Sequence, residues 1–308
     1  MKSSITRIVL KARQFQQWLI AYLVFGLLSV MKLFPADGSI RFADWAMRRI
    51  GPFTGRHSLV LENLHCAFPE KDEAEIRRIA LASWGHIGRL AAEYVFLDEL
   101  FDFDPQKPDA GRIEVAGVER FMALLALDRP FIVFTAHTAN FELLPVAAAS
   151  FGLDVSVLFR PPNNPYIAEK VFRFRRKRMG ELVPSHAGSA FALASALDAG
   201  RGVGVLVDQK FKRGSPSSYF GQEVRTNPLL AKLARQFDCK IFPARCIRLP
   251  DNRFRLELEE EMPLPRTEKG AVDVAATAQA LNDKVESWVR EYPEQWLWYH
   301  DRWARRKR

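Results

Sequence analysis

The sequence contains little cysteine. Its 308 residues include only Cys66, Cys239 and Cys246, and no two of them form a CxxC pair. An odd number of scattered cysteines argues against a disulfide framework and favours a reducing, cytosol-facing environment. Metal ligands at zinc-site spacing are also missing, so we expect no metal site.

Glycine-rich phosphate loops, internal repeats and low-complexity segments are absent as well. No Walker sequence or dinucleotide-binding GxGxxG is found, so we expect no cofactor. Hydrophobic residues make up 48% of the chain, and its length allows one large core.

An excess of negative charge is likewise missing, since the net charge is +9. A basic chain favours an anionic partner: nucleic acid, an anionic membrane surface, or an acidic protein or substrate. Several of the cations lie in FRFRRKRMG (residues 172–180), which is either a solvated face or a contact for phosphates, a bilayer or an acidic carrier protein. No recognition motif accompanies this run, so we expect no nucleic-acid partner.

An apolar run, WLIAYLVFGLLSVM, occupies residues 18–31. A membrane span needs roughly 20 residues, a length this run approaches with its flanks, and Trp18 and Tyr22 suit the headgroup level. No cleavage site of the AxA type follows, which disfavours a signal peptide and leaves a buried core helix as the alternative. We therefore predict a membrane anchor over residues 1–35.

The orientation of this anchor is not set by its flanking charges. Basic residues precede and follow the run in similar number: Lys2, Arg7, Lys11 and Arg13 before it, and Lys32, Arg41, Arg48 and Arg49 after it. The positive-inside rule therefore does not choose a direction, and the balance also suits a helix that lies in one leaflet.

The remainder, residues 36–308, reads as one α/β domain. Residues 36–110 form a mostly helical lead-in, with an apolar period near 3.6 over residues 71–100. Beyond Arg112, strand-like runs alternate with helical segments. The pattern predicts a mixed, largely parallel sheet flanked by helices.

The stretch PFIVFTAHTANFELLP carries the candidate chemistry. His137 follows a strand-like run, and Glu142 comes five residues later at the start of an apolar helix. Five residues of one helix turn about 500°, so the two side chains would instead meet across a turn, with Asn140 capping the helix. A carboxylate on one imidazole nitrogen would leave the other nitrogen free as a general base. The spacing by itself fits two ordinary turn residues equally well.

No serine or cysteine stands beside His137, whose neighbours are Thr135, Thr138 and Asn140. Direct transfer of an activated acyl group to an acceptor hydroxyl therefore fits better than a covalent acyl-enzyme.

AHTANFELLP resembles the His–x4–acid signature of the lysophospholipid acyltransferase superfamily. More narrowly, it is similar to the bacterial lipid A late acyltransferases, the lauroyl and myristoyl transferases. Other blocks of that family are resembled by RHSLVLENLHCAFPEKDEAEI (56–76), VSVLFRPPNNP (155–165), GVGVLVDQKFKRGSPSSYFGQEVRTNPLLAKLA (202–234), KIFPA (240–244) and PEQWLWYHDRW (293–303). One departure is the pair Lys210 and Lys212, where many members carry an acidic or neutral residue.

This resemblance implies an α/β fold and acyl transfer from a thioester on acyl carrier protein to a hydroxyl of an anionic lipid A precursor. The partners would be that carrier protein, the precursor and the inner-membrane surface, with the active site facing the cytoplasm. His137 carries over as the general base and Glu142 as its orienting acid. Arg160 would hold a phosphate or an oxyanion, and Asp208 and Gln209 would support substrate binding.

Alternatives remain for several of these assignments. Arg160 also fits a surface ion pair, and Asp208 and Gln209 fit ordinary strand-end turn residues. Asn140 is placed with the substrate-binding residues. Two rival functions remain. The protein is either an acyltransferase that acts on another glycolipid or lysolipid acceptor, or a non-enzymatic lipid-binding protein.

The C-terminal run WLWYHDRWARRKR mixes aromatic and basic side chains. Such a mixture is typical of a membrane interface, and packing against the core is the alternative, which we favour for Trp296.

Overall fold

The computed structural model describes residues 2–108, 110–186 and 188–303. The helices are α1 (Lys2–Met31), α2 (Ala36–Ile50), α3 (His57–Ala67), α4 (Glu73–Glu93), α5 (Leu97–Leu100), α6 (Val118–Leu125), α7 (Leu143–Ser150), α8 (Pro165–Arg178), α9 (Ser189–Asp198), α10 (Leu229–Phe237) and α11 (Val274–Glu291). The strands are β1 (Ile113–Ala116), β2 (Phe131–Thr135), β3 (Val155–Phe159), β4 (Glu181–Pro184), β5 (Gly202–Leu206), β6 (Lys210–Tyr219), β7 (Gln222–Thr226), β8 (Lys240–Arg248) and β9 (Phe254–Leu258).

Within the described ranges, seven strands form one sheet in the order β1-β9-β8-β2-β5-β3-β4. Its neighbouring pairs are parallel except β8 with β9, which run antiparallel. The predicted mixed, largely parallel sheet is therefore confirmed. Strands β6 and β7 form a separate antiparallel hairpin. This hairpin and the short edge strand β4 were not predicted from the sequence.

Helices cover both faces of the sheet, as the alternating pattern predicted. In β2 the side chains alternate, so Ile132 and Phe134 pack towards α9, α10 and α11. Val133 and Thr135 point to the opposite face, where α6 and α7 leave a cavity. One face is thus a packed core, and the other encloses open apolar space.

Helices α2 to α5 precede the first strand, β1. Helix α4 begins after Asp72, whose carboxylate accepts the backbone N–H of Glu75 at 2.8 Å and so caps the helix.

Helix α1 contains an apolar stretch of 23 residues, Val9–Met31, long enough to cross a membrane. Almost none of this stretch is buried, which contradicts the alternative of a core helix. The helix touches α8, where the Asn164 side chain donates to the Gln17 carbonyl at 2.7 Å and Lys170 lies 4.0 Å from the Phe25 ring centre. The anchor role of residues 1–35 stays a prediction.

The C-terminal aromatic residues pack inside the domain. Trp296, Trp298 and Trp303 are buried, with the first two ring centres 4.7 Å apart. Core packing is confirmed for Trp296. An interfacial position for Trp298 and Trp303 is wrong, because both are buried in the same core cluster and pack against Phe220 and each other. The basic tail, residues 304–308, lies outside the described residues.

Candidate active site

Two neighbouring parallel strands bring His137 and Asp208 together. Thr135 of β2 faces Leu206 of β5, and two residues further on each chain leaves the sheet at the same carboxyl edge. The Nδ1 atom of His137 donates to the Asp208 Oδ1 atom at 2.7 Å, and the His137 backbone N–H donates to Oδ2 at 2.9 Å. The carboxylate of Asp208 thus holds both the ring and the backbone of His137.

Asp208 is buried and also accepts the indole N–H of Trp296 at 2.8 Å. Burial alone would raise the pKa of the Asp208 carboxyl, but the His137 imidazole and the three hydrogen bonds hold that pKa well below its usual range. The carboxylate is therefore ionised, and it fixes the proton of His137 on Nδ1.

The other imidazole nitrogen, Nε2, is then a hydrogen-bond acceptor. The Gln209 side-chain amide donates to it at 3.1 Å. The ring edge is packed by Phe141, at 4.9 Å between ring centres, and His300 lies 5.7 Å away. An acceptor hydroxyl that replaced the Gln209 amide would meet a correctly oriented base.

Glu142 does not contact His137, which corrects the sequence-based expectation. Its carboxylate pairs with Arg175 of α8, whose guanidinium also donates to the Tyr94 hydroxyl at 2.6 Å. Among the described residues no hydrogen bond joins Glu142 to His137, because the strand partner Asp208 already occupies Nδ1. The local turn brings Glu142 to the start of α7, facing α8 rather than the imidazole.

The sequence predicted that the Asn140 side chain caps α7, and this prediction is wrong. Glu142 stands at the N-cap position, and its side chain makes no capping hydrogen bond. The Asn140 amide is buried, and neither its oxygen nor its nitrogen has a hydrogen-bond partner among the described residues. The Thr138 hydroxyl is likewise buried without a hydrogen-bond partner among the described residues. Buried unpaired polar atoms beside a base suit a ligand that supplies their hydrogen bonds.

The loop that carries these groups holds a strained backbone. Ala139 has φ +47°, a left-handed conformation that costs a residue with a Cβ about 1–3 kcal/mol. Its backbone N–H donates to the Gln295 carbonyl at 2.9 Å, and its own carbonyl accepts from the His86 ring at 3.2 Å. These two contacts hold the loop against the strain and keep His137 in position.

Arg160 follows β3 at the same sheet edge and is exposed. Its charge, with that of Arg56, acts on His300: burial, the facing His137 and these two cations lower the pKa of His300 to about 4. His300 is therefore neutral at neutral pH. Sequence reasoning missed both His300 and the indole contact of Trp296, although both lie in the closing block PEQWLWYHDRW.

An apolar cavity of about 400 Å³ opens beside this group. It runs along the sheet face under α6 and α7, with Thr135, Phe141 and Glu142 in its wall near His137 and Val118 and Leu153 further along. Its volume falls within the range of small-molecule pockets, and its lining is almost entirely hydrocarbon. Such a space fits an aliphatic chain.

A cysteine nucleophile is not available near the base. Cys246 contacts the backbone of Asn140, but its side chain is buried and burial raises the pKa of its thiol to about 12. Cys246 is therefore not a nucleophile for chemistry at His137.

The chain is similar to known acyltransferases. Residues 8–305 match the profile of the family described as "Bacterial lipid A biosynthesis acyltransferase". A lipid A biosynthesis acyltransferase 2 of Shigella flexneri is 23% identical over 284 residues, which cover 90% of this chain and 87% of that protein. A lipid A biosynthesis lauroyltransferase of Escherichia coli is 26% identical, covering 82% of this chain and 80% of its own, and a myristoyltransferase of that organism is 23% identical, covering 84% and 80%. The chain therefore belongs to the bacterial lipid A biosynthesis acyltransferase family.

Proposed function

We propose that the protein transfers a fatty acyl group from a thioester on acyl carrier protein to a hydroxyl of a lipid A precursor, with His137 as the general base. Asp208, rather than Glu142, is the acid that orients this base. The observation that carries the proposal is the His137–Asp208 hydrogen bond of 2.7 Å beside the apolar cavity.

The reaction follows from the hydrogen bonds of the imidazole. The acceptor hydroxyl displaces the Gln209 amide from Nε2, gives its proton to that nitrogen and attacks the thioester carbonyl. Asp208 stabilises the imidazolium, and the Nδ1 proton stays where it is. Collapse of the tetrahedral intermediate breaks the C–S bond, and the imidazolium returns its proton to the departing thiolate. The products are an ester and a free thiol.

Burial and charge support the substrate-binding roles. The unpaired Asn140 amide is available to the oxyanion or the acceptor, since no described residue satisfies it. Arg160 has no ion-pair partner among the described residues and takes a phosphate of the anionic precursor. Gln209 holds the acceptor hydroxyl after yielding Nε2.

Helix α8 supports an acidic donor protein as partner. Of the four consecutive cations at residues 175–178, Arg175 pairs with Glu142 and Arg178 pairs with Asp98. Arg176 and Lys177 remain exposed. Exposed cations of this kind fit the acidic surface of a carrier protein.

Attachment to the membrane completes the proposal. Residues 1–35, with the apolar stretch Val9–Met31, anchor residues 36–308 as the acyltransferase domain at the inner membrane. A thioester donor made in the cytoplasm requires the His137 edge to face that compartment.

The test replaces the base and reads the product directly. His137→Ala should lower acyl transfer by at least about 10³-fold while thermal unfolding stays close to that of the parent protein. Mass spectrometry should show that lipid A from cells with the variant lacks one acyl chain that lipid A from cells with the parent protein carries. Transfer rates of the purified protein with an acyl-carrier-protein donor and with an acyl-CoA donor of the same chain length identify which thioester it uses.

Retained transfer by a folded His137→Ala variant would contradict the general base. Unchanged lipid A with an added chain on another lipid would instead assign the reaction to a different acceptor.

A further inference from the structure

Helix α2 presents aromatic and basic side chains to the outside on one face. At 100° per residue, Arg41, Phe42, Trp45 and Arg49 fall within an arc of about 100°. Phe42 is 61% exposed and Trp45 53% exposed. Their ring centres lie 5.8 Å apart, and the Arg49 guanidinium lies 5.6 Å from the Trp45 ring.

The exposed apolar surface continues beyond both ends of α2. Leu33 and Phe34, directly before the helix, are exposed, and Phe53 in the turn after it is 90% exposed. We call this set the α2 patch: Leu33, Phe34, Phe42, Trp45 and Phe53, with Arg41 and Arg49. Large side chains grouped in this way, rather than scattered singly, mark an interaction surface.

The opposite face of α2 is fixed to the domain. Ile40 is fully buried, and α2 crosses α4 at Gly88, where a Cβ atom would collide with the Ala43 carbonyl. The Arg89 guanidinium of α4 donates to Asp44 at 3.0 Å. Because this packing is tight and charge-paired, the exposed rings cannot turn inward without breaking the α2–α4 contact.

Helix α4 also connects the α2 patch to the chemistry. His86 of α4 donates to the Ala139 carbonyl, next to His137 in the strained loop. The orientation of α2 relative to any surface therefore sets the orientation of the His137 edge to that surface.

The composition and position of the patch identify its occupant. Aromatic rings beside arginines are the side chains that favour the headgroup layer of an anionic bilayer. The patch is continuous with α1, whose apolar stretch ends at Met31, two residues before Leu33. A lipid surface reached by α1 is therefore close to α2.

We propose that the α2 patch lies in the headgroup layer of an anionic membrane, as a second membrane contact beside α1 that sets how the His137 edge faces the bilayer. This contact does not depend on the reaction proposed above, since it concerns only where the domain sits.

The test places an environment-sensitive label on the patch in the full-length protein. An NBD label is attached to the new cysteine in each of three variants: Phe42→Cys, Phe53→Cys and the control Phe191→Cys. The label goes to the new cysteine because the native Cys66, Cys239 and Cys246 are buried. Phe191 is a fair control because it is 79% exposed on α9, far along the sequence from the patch. The proteins are reconstituted in phosphatidylcholine–phosphatidylglycerol vesicles that contain doxyl-labelled lipid.

We expect doxyl lipid to quench the labels at 42 and 53 at least about twofold more than the label at 191, because interfacial helices insert about 5–10 Å into the headgroup and acyl boundary. Equal quenching at the three positions would overturn the proposal. Cross-links between copies through positions 42 and 53, without quenching, would also overturn it and assign the patch to a second copy.

A second measurement uses activity. Phe42→Ser with Trp45→Ser should lower transfer to an acceptor embedded in vesicles about tenfold more than transfer to a detergent-dispersed acceptor, because only the first needs the domain oriented on a bilayer. Phe191→Ser should affect neither. An equal loss in both assays would overturn the orienting role. A parent protein without any transfer would contradict the proposed reaction and leave the quenching result standing.

Discussion

The loop of residues 137–142 ends at two buried ionic contacts that differ in kind. At one end His137 meets Asp208, and at the other Glu142 meets Arg175. Both pairs combine a carboxylate with a nitrogen-containing side chain. Glu142 and Arg175 line the apolar cavity, and Phe141 in its wall packs against the His137 ring. In the first, the imidazole Nε2 keeps its lone pair for a donor such as Gln209. In the second, the guanidinium is committed to Glu142 and the Tyr94 hydroxyl.

The difference separates chemistry from support. A buried imidazole with one nitrogen fixed and one available can move a proton, whereas a guanidinium has no accessible neutral form. Arg175 also lies 5.4 Å from the Phe159 ring centre, so α8 and β3 are tied to the start of α7 through it. We therefore expect Asp208 to act on the reaction rate and Glu142 to act on stability.

The largest expected effect is that of Asp208→Asn. An amide in this place would present an N–H to the imidazole, move the ring proton to Nε2 and remove the base, so kcat should fall by about 10³- to 10⁴-fold. Steady-state transfer from a purified acyl thioester measures the loss, and a melting curve in detergent monitors the fold.

Trp296→Phe is the matched control for that change. It removes one hydrogen bond to Asp208 but leaves the carboxylate on His137, so kcat should fall far less. Equal losses for the two variants would assign Asp208 a packing role only.

The next effect is on stability. Glu142→Gln leaves Arg175 buried without its counter-charge, which should lower the free energy of unfolding by about 3–5 kcal/mol. Adding Arg175→Met should recover part of that loss, because the uncompensated charge is then gone. Denaturant titration of the detergent-solubilised protein gives the double-mutant cycle.

Glu169→Gln, on the same helix α8, serves as the surface control. It breaks an exposed ion pair with Arg173 and should change stability by less than about 1 kcal/mol. A Glu142→Gln variant with parental stability but kcat lowered like that of Asp208→Asn would restore Glu142 as the partner in the chemistry.

The smallest expected effect is the contribution of His300, the neutral neighbour of His137, to the pH dependence of stability. The folded pKa of His300, about 4, lies below its ordinary value of 6.5, so the unfolded chain binds the proton more tightly. Stability is therefore retained above pH 6.5 and falls as the pH drops from 6.5 towards 4, by up to about 3 kcal/mol from this group.

His300→Asn should flatten that acid dependence. Melting temperatures of parent and variant between pH 4 and pH 7 supply the measurement. Parallel curves for the two proteins would show that His300 does not carry the acid sensitivity.

Local patterns predicted most of the fold. The buried run before His137, the alternation in β9 and the 3.6 period of α4 each identified their element, because one buried face imposes its period on the sequence. The hairpin of β6 and β7 escaped, since its strands are polar and contain Pro216 and a bulge. Strand β4 escaped as a four-residue edge strand.

The sequence by itself determined that His137 and Asp208 each follow a buried strand-like run. Only the tertiary structure decided that these two strands are neighbours, in a register that sets residues 71 apart in the chain side by side. Spacing along the chain favoured Glu142, five residues away, because a spacing predicts only contacts between residues that are close in sequence. Strand order in a parallel sheet is set by packing across the whole domain, and it brought Asp208 to His137. The packing of α7 against α8 brought Arg175 to Glu142.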